Sequence, residues 1–237
     1  MPTNPPVGVN FHDLFFLAPE IVLTLWGFVV LVVDRALALK LSAAARQRAI
    51  GVLSLVGVGI ALVAAGIVCF VPLSVRAYPP DENSWLSPQF AYYLTDNDPF
   101  IFFGTLAGDG QTAFFNILYV LLLGLILGMS MSWSFTEEWG EYFALLFWAT
   151  VGMMLLTASE ELVTLFLTLE TMTICLYLST ALEKTKRRSA EGGLKYFVYG
   201  SVSSALFLFG LSLIYGMTGT TSFDGIRSII ASTNSTG

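Results

Sequence analysis

The chain has 237 residues, of which 55% are hydrophobic and only 12% are charged, and its formal net charge is −6. A soluble domain carries about 25% charged residues. Half that share, with a mean hydropathy of +0.74, predicts a polytopic membrane protein. No strongly basic patch with interleaved aromatic residues is present, which argues against nucleic-acid binding. Cys69 and Cys175 lie in apolar runs, and we predict that they pack as small apolar residues.

The N-terminal stretch MPTNPPVGVNFHDLFF contains no Lys or Arg, and no small-residue cleavage site follows it. It is not typical of a secretory signal peptide, so we expect the first apolar run to be retained as a membrane span. His12 is the one histidine of the sequence and lacks the partners that a metal site needs. The sequence also lacks a Ser-His-Asp arrangement, a Gly-rich phosphate loop and a CxxC motif, which argues against soluble-enzyme catalysis.

Six apolar segments are long enough to cross about 30 Å of hydrocarbon as helices. They cover approximately residues 14–33, 49–73, 114–133, 142–157, 162–182 and 194–217. The sequence therefore predicts an all-α, polytopic transmembrane helix bundle of about six spans. In this division, residues 1–75 hold the first two helices and residues 113–217 hold helices three to six.

Two segments are not predicted to span the membrane. Residues 76–112 are rich in proline, aromatic and acidic residues, which rule out a regular span. The FIFFGTL run within them is too short to cross, so an interfacial segment or a folded loop is expected there. Residues 218–237 form a polar tail or a truncated loop with one short amphipathic piece.

The positions of Lys and Arg predict the orientation of the bundle. One basic cluster follows the first span and another precedes the sixth, and these clusters comprise Arg35, Lys40, Arg46, Arg48, Lys184, Lys186, Arg187 and Arg188. Positively charged loops stay in the cytoplasm. We therefore predict that both basic loops lie inside and that the N-terminus and residues 76–112 lie outside.

Glu170 is the first candidate for function, because it lies near the middle of the fifth predicted span. An ionisable side chain at that depth is costly and is a functional-site hypothesis by default. Burial disfavours the charged form of a carboxyl group, so such a group can exchange protons at physiological pH. Thr173 and Tyr177 share its helical face and could hold a chain of water molecules. The alternative is a structural glutamate, neutral and hydrogen-bonded between helices.

The other charged residues of the spans have simpler interpretations. Lys195 starts the sixth span beside a basic loop, where an interfacial lysine with a buried stem is expected. Glu20 follows Pro19 in the first turn of the first span, which is typical of an interfacial helix start. Asp34 ends that span at the other interface. Glu160 and Glu161 are expected to keep a tight turn between two spans in water.

Several of these stretches together resemble subunit N of proton-pumping NADH:quinone oxidoreductase (respiratory complex I), an antiporter-like membrane subunit. The stretches are LAPEIVLTLWGFVVLVVD, GDGQTAFFNILYVLLLG, EYFALLFWATVGMMLLTASEELVTLFLTLE and GGLKYFVYGSVSSALFLFGLSLIYGMTGTTSF. The order and spacing of the last two make the resemblance specific. Members of the family have about fourteen helices, and the resemblance covers only the N-terminal half of such a chain. We therefore expect either a fragment or a protein split between two chains.

The resemblance implies roles for two residues. Glu170 falls on a glutamate of the family that takes part in proton translocation, and Lys195 falls on a lysine of the same polar network. The lysine expected to pair with Glu170 belongs to a seventh helix, outside this sequence. The resemblance also implies partners, namely the lipid bilayer of a bacterial inner membrane and other membrane subunits of complex I, especially neighbouring antiporter-like ones.

The function expected from these features is proton translocation coupled to electron transfer from NADH to quinone. NADH, FMN, iron–sulfur clusters and quinone are expected in partner subunits, with no cofactor or metal bound by this chain. One alternative is a cation/proton antiporter-like protein that works alone, which would need a second ionisable residue deep in another span. The other alternative is a non-catalytic membrane scaffold subunit.

Overall fold

Long helices dominate the computed structural model, which describes residues 11–40, 42–77, 100–102, 104–132, 136 and 138–234. Within these ranges the chain forms eight helices: α1 (Phe11–Phe16), α2 (Ala18–Ala38), α3 (Ala43–Ala77), α4 (Gly110–Ser130), α5 (Trp139–Ala158), α6 (Leu162–Thr180), α7 (Arg187–Thr218) and α8 (Phe223–Asn234). Helices α2 to α7 are long and apolar enough to cross a membrane. The predicted all-α bundle of six spans is confirmed, while the outside position of the N-terminus stays a prediction.

Part of the predicted non-spanning segment forms a small antiparallel hairpin. Strand β1 (Phe100–Ile101) pairs with strand β2 (Leu106–Ala107), and the turn between them contains Gly104 at a φ of +81°. Glycine adopts this left-handed conformation without the steric penalty that a Cβ brings. The hairpin is compatible with either prediction for the FIFFGTL run, an interfacial segment or a folded loop. Of the predicted non-spanning residues 76–112, residues 76–77 belong to α3 and residues 110–112 to α4, while residues 78–99 lie outside the described part of the chain.

Helix α7 begins earlier than the sequence predicted, so Arg187 and Arg188 lie in its first turn instead of a loop. Glu191 and Lys195 form an i,i+4 ion pair on this extension, with 2.6 Å between the Glu191 Oε1 and Lys195 Nζ atoms, and such pairs stabilise helices. Gly193 lets the extension approach α6 closely, since a Cβ there would lie 2.5 Å from that of Ala181.

A further helix, α8, occupies most of the segment predicted to be a polar tail or loop. Its apolar residues recur at helical spacing, which gives the helix one apolar face (Phe223, Ile226, Ile229 and Ile230). Asp224 lies in the first turn, where a negative charge is favourable. The short amphipathic piece noted in the sequence is therefore a helix.

Helices α2, α3, α4 and α5 surround the main core, and α5 also packs against α6. The core consists of closely packed aliphatic and aromatic residues such as Leu23, Val30, Ile50, Val120, Leu127, Phe143 and Phe147. Helix α7 packs chiefly against α6 and leaves most of its apolar side chains exposed. The bundle therefore has a well-packed part, α2 to α5, and a more open part, α6 and α7.

We call the end of the bundle that carries the β1–β2 pair the hairpin end. Three connections meet there through main-chain hydrogen bonds. Glu160 donates its N–H to Thr105 O at 2.9 Å, Phe223 donates to Glu160 O at 3.2 Å, and Leu162 donates to Thr221 O at 2.9 Å. These bonds tie the hairpin, the α5–α6 turn and the α7–α8 link together.

The opposite end, called the basic end, is held by an ion pair between α2 and α3. Arg46 donates to both carboxylate oxygens of Asp34, with Nε–Oδ1 and Nη2–Oδ2 distances of 2.7 and 3.1 Å. The side chain of Asp34 is only 6% exposed. Asp34 is therefore buried in a bidentate pair, whereas the sequence predicted only an interfacial position.

Candidate functional site

Glu170 lies near the middle of α6, half-buried against α7. Ser204 of α7 donates its hydroxyl to Glu170 Oε1, a short contact that joins the two helices. The predicted mid-span position of this carboxyl group is thus matched by a specific polar partner. Ser204 was missed by the sequence analysis, because a serine in an apolar helix is more often a small packing residue.

Aromatic rings lie on both sides of this contact along the α6–α7 seam. Towards the hairpin end, the rings of Phe166 and Phe207 are stacked with 6.3 Å between their centroids. Towards the basic end, Tyr177 packs edge-on against Tyr196 at 4.7 Å and Phe197 at 6.0 Å. The Glu170–Ser204 contact is therefore bracketed by apolar layers.

The two hydroxyl groups predicted to serve Glu170, those of Thr173 and Tyr177, lie beside other groups. Thr173 Oγ1 donates to the main-chain carbonyl of Glu170 at 3.1 Å. The Tyr177 hydroxyl lies so close to Gly200 that a Cβ there would overlap it. Neither residue donates a described hydrogen bond to the Glu170 carboxylate, so the predicted water chain along this face stays a prediction.

Lys195 lies on α7, far from Glu170. Its side chain is 65% exposed and its Nζ atom pairs with Glu191 of the same helix. Nine residues separate Lys195 from Ser204, which corresponds to roughly 13 Å along a helix axis. Within this chain the structure does not bring Glu170 and Lys195 together, and the position of Lys195 matches that of an interfacial lysine.

A second buried carboxyl group lies on α2. Glu20 is 4% exposed and accepts a hydrogen bond from Asn116 Nδ2 of α4 at 2.7 Å. The sequence predicted an interfacial helix start, and Pro19 and Glu20 do begin α2. The carboxyl group is nevertheless buried, because Asn116 reaches it from the neighbouring helix. Asn116 was missed, although a lone amide in the apolar run FFNILYVLLLG was a signal for an interhelical contact.

The turn between α5 and α6 was predicted only to lie in water, but it also contacts the link between α7 and α8. Thr221 Oγ1 donates to Glu161 Oε1 at 2.5 Å, which reinforces the link to α8. Burial raises the pKa of Glu160, and the nearby acidic groups of Asp224 and Asp109 raise it further. An acidic cluster therefore occupies the hairpin end.

Charge is partly neutralised at the basic end. Lys184 Nζ lies 2.7 Å from Glu141 Oε2, and Lys186 Nζ lies 3.1 Å from Glu183 Oε2. The pKa of Glu183 is lowered by a hydrogen bond from the Thr136 side chain and then by Lys186. Among the described residues no group of three or more His, Cys, Asp or Glu side chains could hold a metal ion.

Residues 159–237 match the family model described as NADH:quinone oxidoreductase/Mrp antiporter, TM. NADH-quinone oxidoreductase subunit N 2 of Koribacter versatilis is 34% identical over 221 residues, which cover 92% of this chain and 40% of that protein. The F(420)H(2) dehydrogenase subunit N of Methanosarcina mazei is 33% identical over 214 residues, which cover 89% of this chain and 38% of that protein. The chain thus spans less than half the length of these relatives.

Two solved structures share the fold. The membrane-bound sulfane sulfur reductase, an archaeal respiratory membrane complex, contains a chain that aligns with 90% of this one, with a TM-score of 0.63 and 20% identity. That alignment covers 39% of the longer chain. The structure of respiratory complex I from Thermus thermophilus contains a chain that aligns with 84% of this one, with a TM-score of 0.52 and 24% identity. The alignment covers 38% of that longer chain.

The six-span bundle and the match over residues 159–237 make the chain similar to the antiporter-like membrane proteins of the NADH:quinone oxidoreductase/Mrp type. Glu170, Ser204 and Lys195 all lie within that matched segment. More particularly, the chain is a relative of NADH-quinone oxidoreductase subunit N. The resemblance predicted from the sequence is confirmed.

Proposed function

We propose that this chain takes part in proton translocation across a bacterial inner membrane as a membrane subunit of an NADH:quinone oxidoreductase. The observation that supports this role most directly is the Glu170 carboxyl group, placed mid-span and hydrogen-bonded to Ser204 across two helices. The relatives named as oxidoreductase subunits supply the context of the complex.

In this role Glu170 accepts and releases the proton. Ser204 suits both states of the carboxyl group, because a hydroxyl can donate to a carboxylate and accept from a carboxylic acid. The contact between α6 and α7 can therefore persist while the proton is exchanged.

Lys195 is assigned to the same network as a cationic group at the basic end, roughly 13 Å along α7 from Ser204. Glu191 pairs with it and offsets its charge at the helix surface. Between Lys195 and Glu170 the described side chains form no continuous hydrogen-bond chain, so proton transfer between them requires water or residues other than those described.

Redox chemistry belongs to partner subunits in this proposal. NADH, FMN, iron–sulfur clusters and quinone would be bound there, and this chain would contribute proton transfer alone. Its partners would be the other membrane subunits, especially neighbouring antiporter-like ones, together with the lipid bilayer. The open face of α7 is compatible with contacts to either.

The test is Glu170→Gln, measured as protons pumped per NADH oxidised in vesicles that contain the assembled complex. Glutamine keeps the size of the side chain and its capacity to accept from Ser204, so insertion and assembly should be unchanged while pumping falls. Glu141→Gln, which changes an ion-paired surface carboxylate at the basic end, is the matched control. Undiminished pumping by Glu170→Gln would refute the role.

A specific observation bears on each alternative function. The Glu170–Ser204 bond itself could serve a scaffold, in which case Glu170→Leu would prevent assembly while Glu170→Gln pumped normally. A protein that exchanges cations and protons alone needs a second ionisable group deep in another span, whereas Glu20 of α2 is buried but lies in the first turn of its helix. Cation/proton exchange by the purified chain in liposomes would favour that alternative.

A further inference from the structure

Glu20 and Asn116 leave two buried oxygen atoms without a hydrogen-bond partner. Asn116 donates through Nδ2 to Glu20 Oε1, while Glu20 Oε2 and Asn116 Oδ1 have no partner among the described residues. Both side chains are almost fully buried, at 4% and 2% exposure. An unsatisfied buried polar atom destabilises the folded state, so two of them in one residue pair require an explanation.

We propose that Glu20 and Asn116 form a proton-binding site, in which one proton on Glu20 Oε2 is shared with Asn116 Oδ1. A carboxylic acid and a primary amide have complementary donors and acceptors. The amide already donates to one carboxyl oxygen, and the acid would donate back from the other oxygen to the amide carbonyl. A single proton therefore satisfies both unpartnered atoms at once.

The charges around Glu20 support the neutral acid. At the hairpin-end halves of α1, α2, α4 and α5 and in the α5–α6 turn, the titratable side chains that the structure describes carry no positive charge; they are Asp13, Asp109, Tyr119, Glu160 and Glu161. The side chain of His12 in α1 lies outside the described part. Helix α3 contributes Cys69 and, near its end, Arg76, whose side chain lies outside the described part. No described ion pair involves Glu20, and a buried carboxylate without a cation is strongly disfavoured.

The structure also indicates where the proton would enter. Asp109 is the N-cap of α4, and Thr112 and Asn116 follow it at spacings of three and four residues, so the three lie on one side of the helix. Asp109 begins this series at the hairpin end, where it accepts from Thr112 N at 2.8 Å. The proton-binding site thus lies at the inner end of a row of polar residues that starts with Asp109 at the hairpin end of α4. It is separate from Glu170.

Infrared difference spectroscopy of the full chain in liposomes, in H₂O and D₂O, tests this assignment. We expect a carboxylic acid C=O band at neutral pH that shifts in D₂O, is lost in Glu20→Gln and moves to higher frequency in Asn116→Leu. The same band should persist in Glu170→Gln, which separates this site from the proposed translocation site. A spectrum in which Glu20→Gln removes no such band would overturn the proposal.

Two further measurements keep the result independent of folding. Glutamine at position 20 can form both hydrogen bonds of the acid, so Glu20→Gln should unfold at the same temperature as the wild type, whereas Glu20→Ala should unfold at a lower one. Replacing K⁺ by Na⁺ in the buffer should leave the infrared band unchanged. Loss of the band in Na⁺ would mean that the two oxygen atoms bind a metal cation instead, and the proton assignment would be wrong.

Discussion

The Ser204 hydroxyl of α7 contacts the Glu170 carboxylate of α6 in the middle of the membrane-spanning region. The contact joins two helices whose neighbouring interactions are aromatic and apolar. It therefore links the candidate proton carrier to α7, which packs least against the bundle among the six candidate spans.

Removing this hydroxyl should slow proton translocation without preventing insertion. A hydrogen bond to a charged group is worth about 1.5–3 kcal/mol, and each 1.36 kcal/mol in a barrier corresponds to about tenfold in rate. For Ser204→Ala we expect pumping in the assembled complex to fall by roughly tenfold. Ser203→Ala, at an exposed neighbouring position, should leave it unchanged. Equal pumping by both variants would count against a role for the contact.

The Asp34–Arg46 pair should be important for stability. Loss of one partner of a buried ion pair costs about 3–5 kcal/mol, because the other charge is left uncompensated. Arg46→Gln should therefore lower the unfolding temperature in detergent strongly, and adding Asp34→Asn should restore much of the loss. Lys184→Gln removes an ion pair whose lysine is 66% exposed, so it should have an effect of about 0–1 kcal/mol. Similar losses for Arg46→Gln and Lys184→Gln would contradict this prediction.

Close packing of α5 on α6 depends on Gly152. A Cβ at this position would lie 2.8 Å from Met172 N and 3.0 Å from Met172 Cα, and the main chain cannot move aside cheaply. Gly152→Ala should destabilise the protein by about 1–3 kcal/mol. Gly128 of α4 faces open space, so Gly128→Ala should instead stabilise its helix by about 0.5–1 kcal/mol. Thermal unfolding followed by circular dichroism measures both, and opposite signs are expected.

The raised pKa of Glu160 predicts a pH-dependent stability. Because this pKa is raised above its ordinary value of 4.5 by burial, Asp224 and Asp109, the folded state holds the proton more tightly than the unfolded state. The stability that Glu160 contributes is therefore complete below about pH 4 and is lost as the pH rises through the raised pKa. Glu160→Gln should raise the unfolding temperature at about pH 7.5, with no difference from the wild type in acid.

Glu183 provides a control of opposite sign. Its pKa is lowered by Thr136 and Lys186, so its contribution to stability is present above the ordinary value and is lost on acidification. Glu183→Gln should therefore lower the unfolding temperature at neutral pH. If both variants shifted the unfolding temperature in the same direction, electrostatics would not be the cause.

The sequence predicted six spans and the depth of Glu170 because both depend on hydrophobic length, which is a local property. It did not predict the partners of the polar residues, because Ser204 and Asn116 reach Glu170 and Glu20 from helices distant in sequence. Helix α7 was predicted too short, because residues 186–191 are polar enough to resemble a loop. Helix α8 was not predicted, because residues 223–234 are similarly polar. Their helices depend on an i,i+4 ion pair and on amphipathic spacing.

The aromatic layers around Glu170 have a directional consequence. The Phe166–Phe207 stack obstructs the α6–α7 seam on one side of the carboxyl group, and Tyr177 with its two ring partners obstructs it on the other. A proton that reached Glu170 along the helix axes would have to pass these rings. If Glu170 exchanges protons as proposed, its described surroundings are more open on the half-exposed flank of α6 and α7 than along the seam between them.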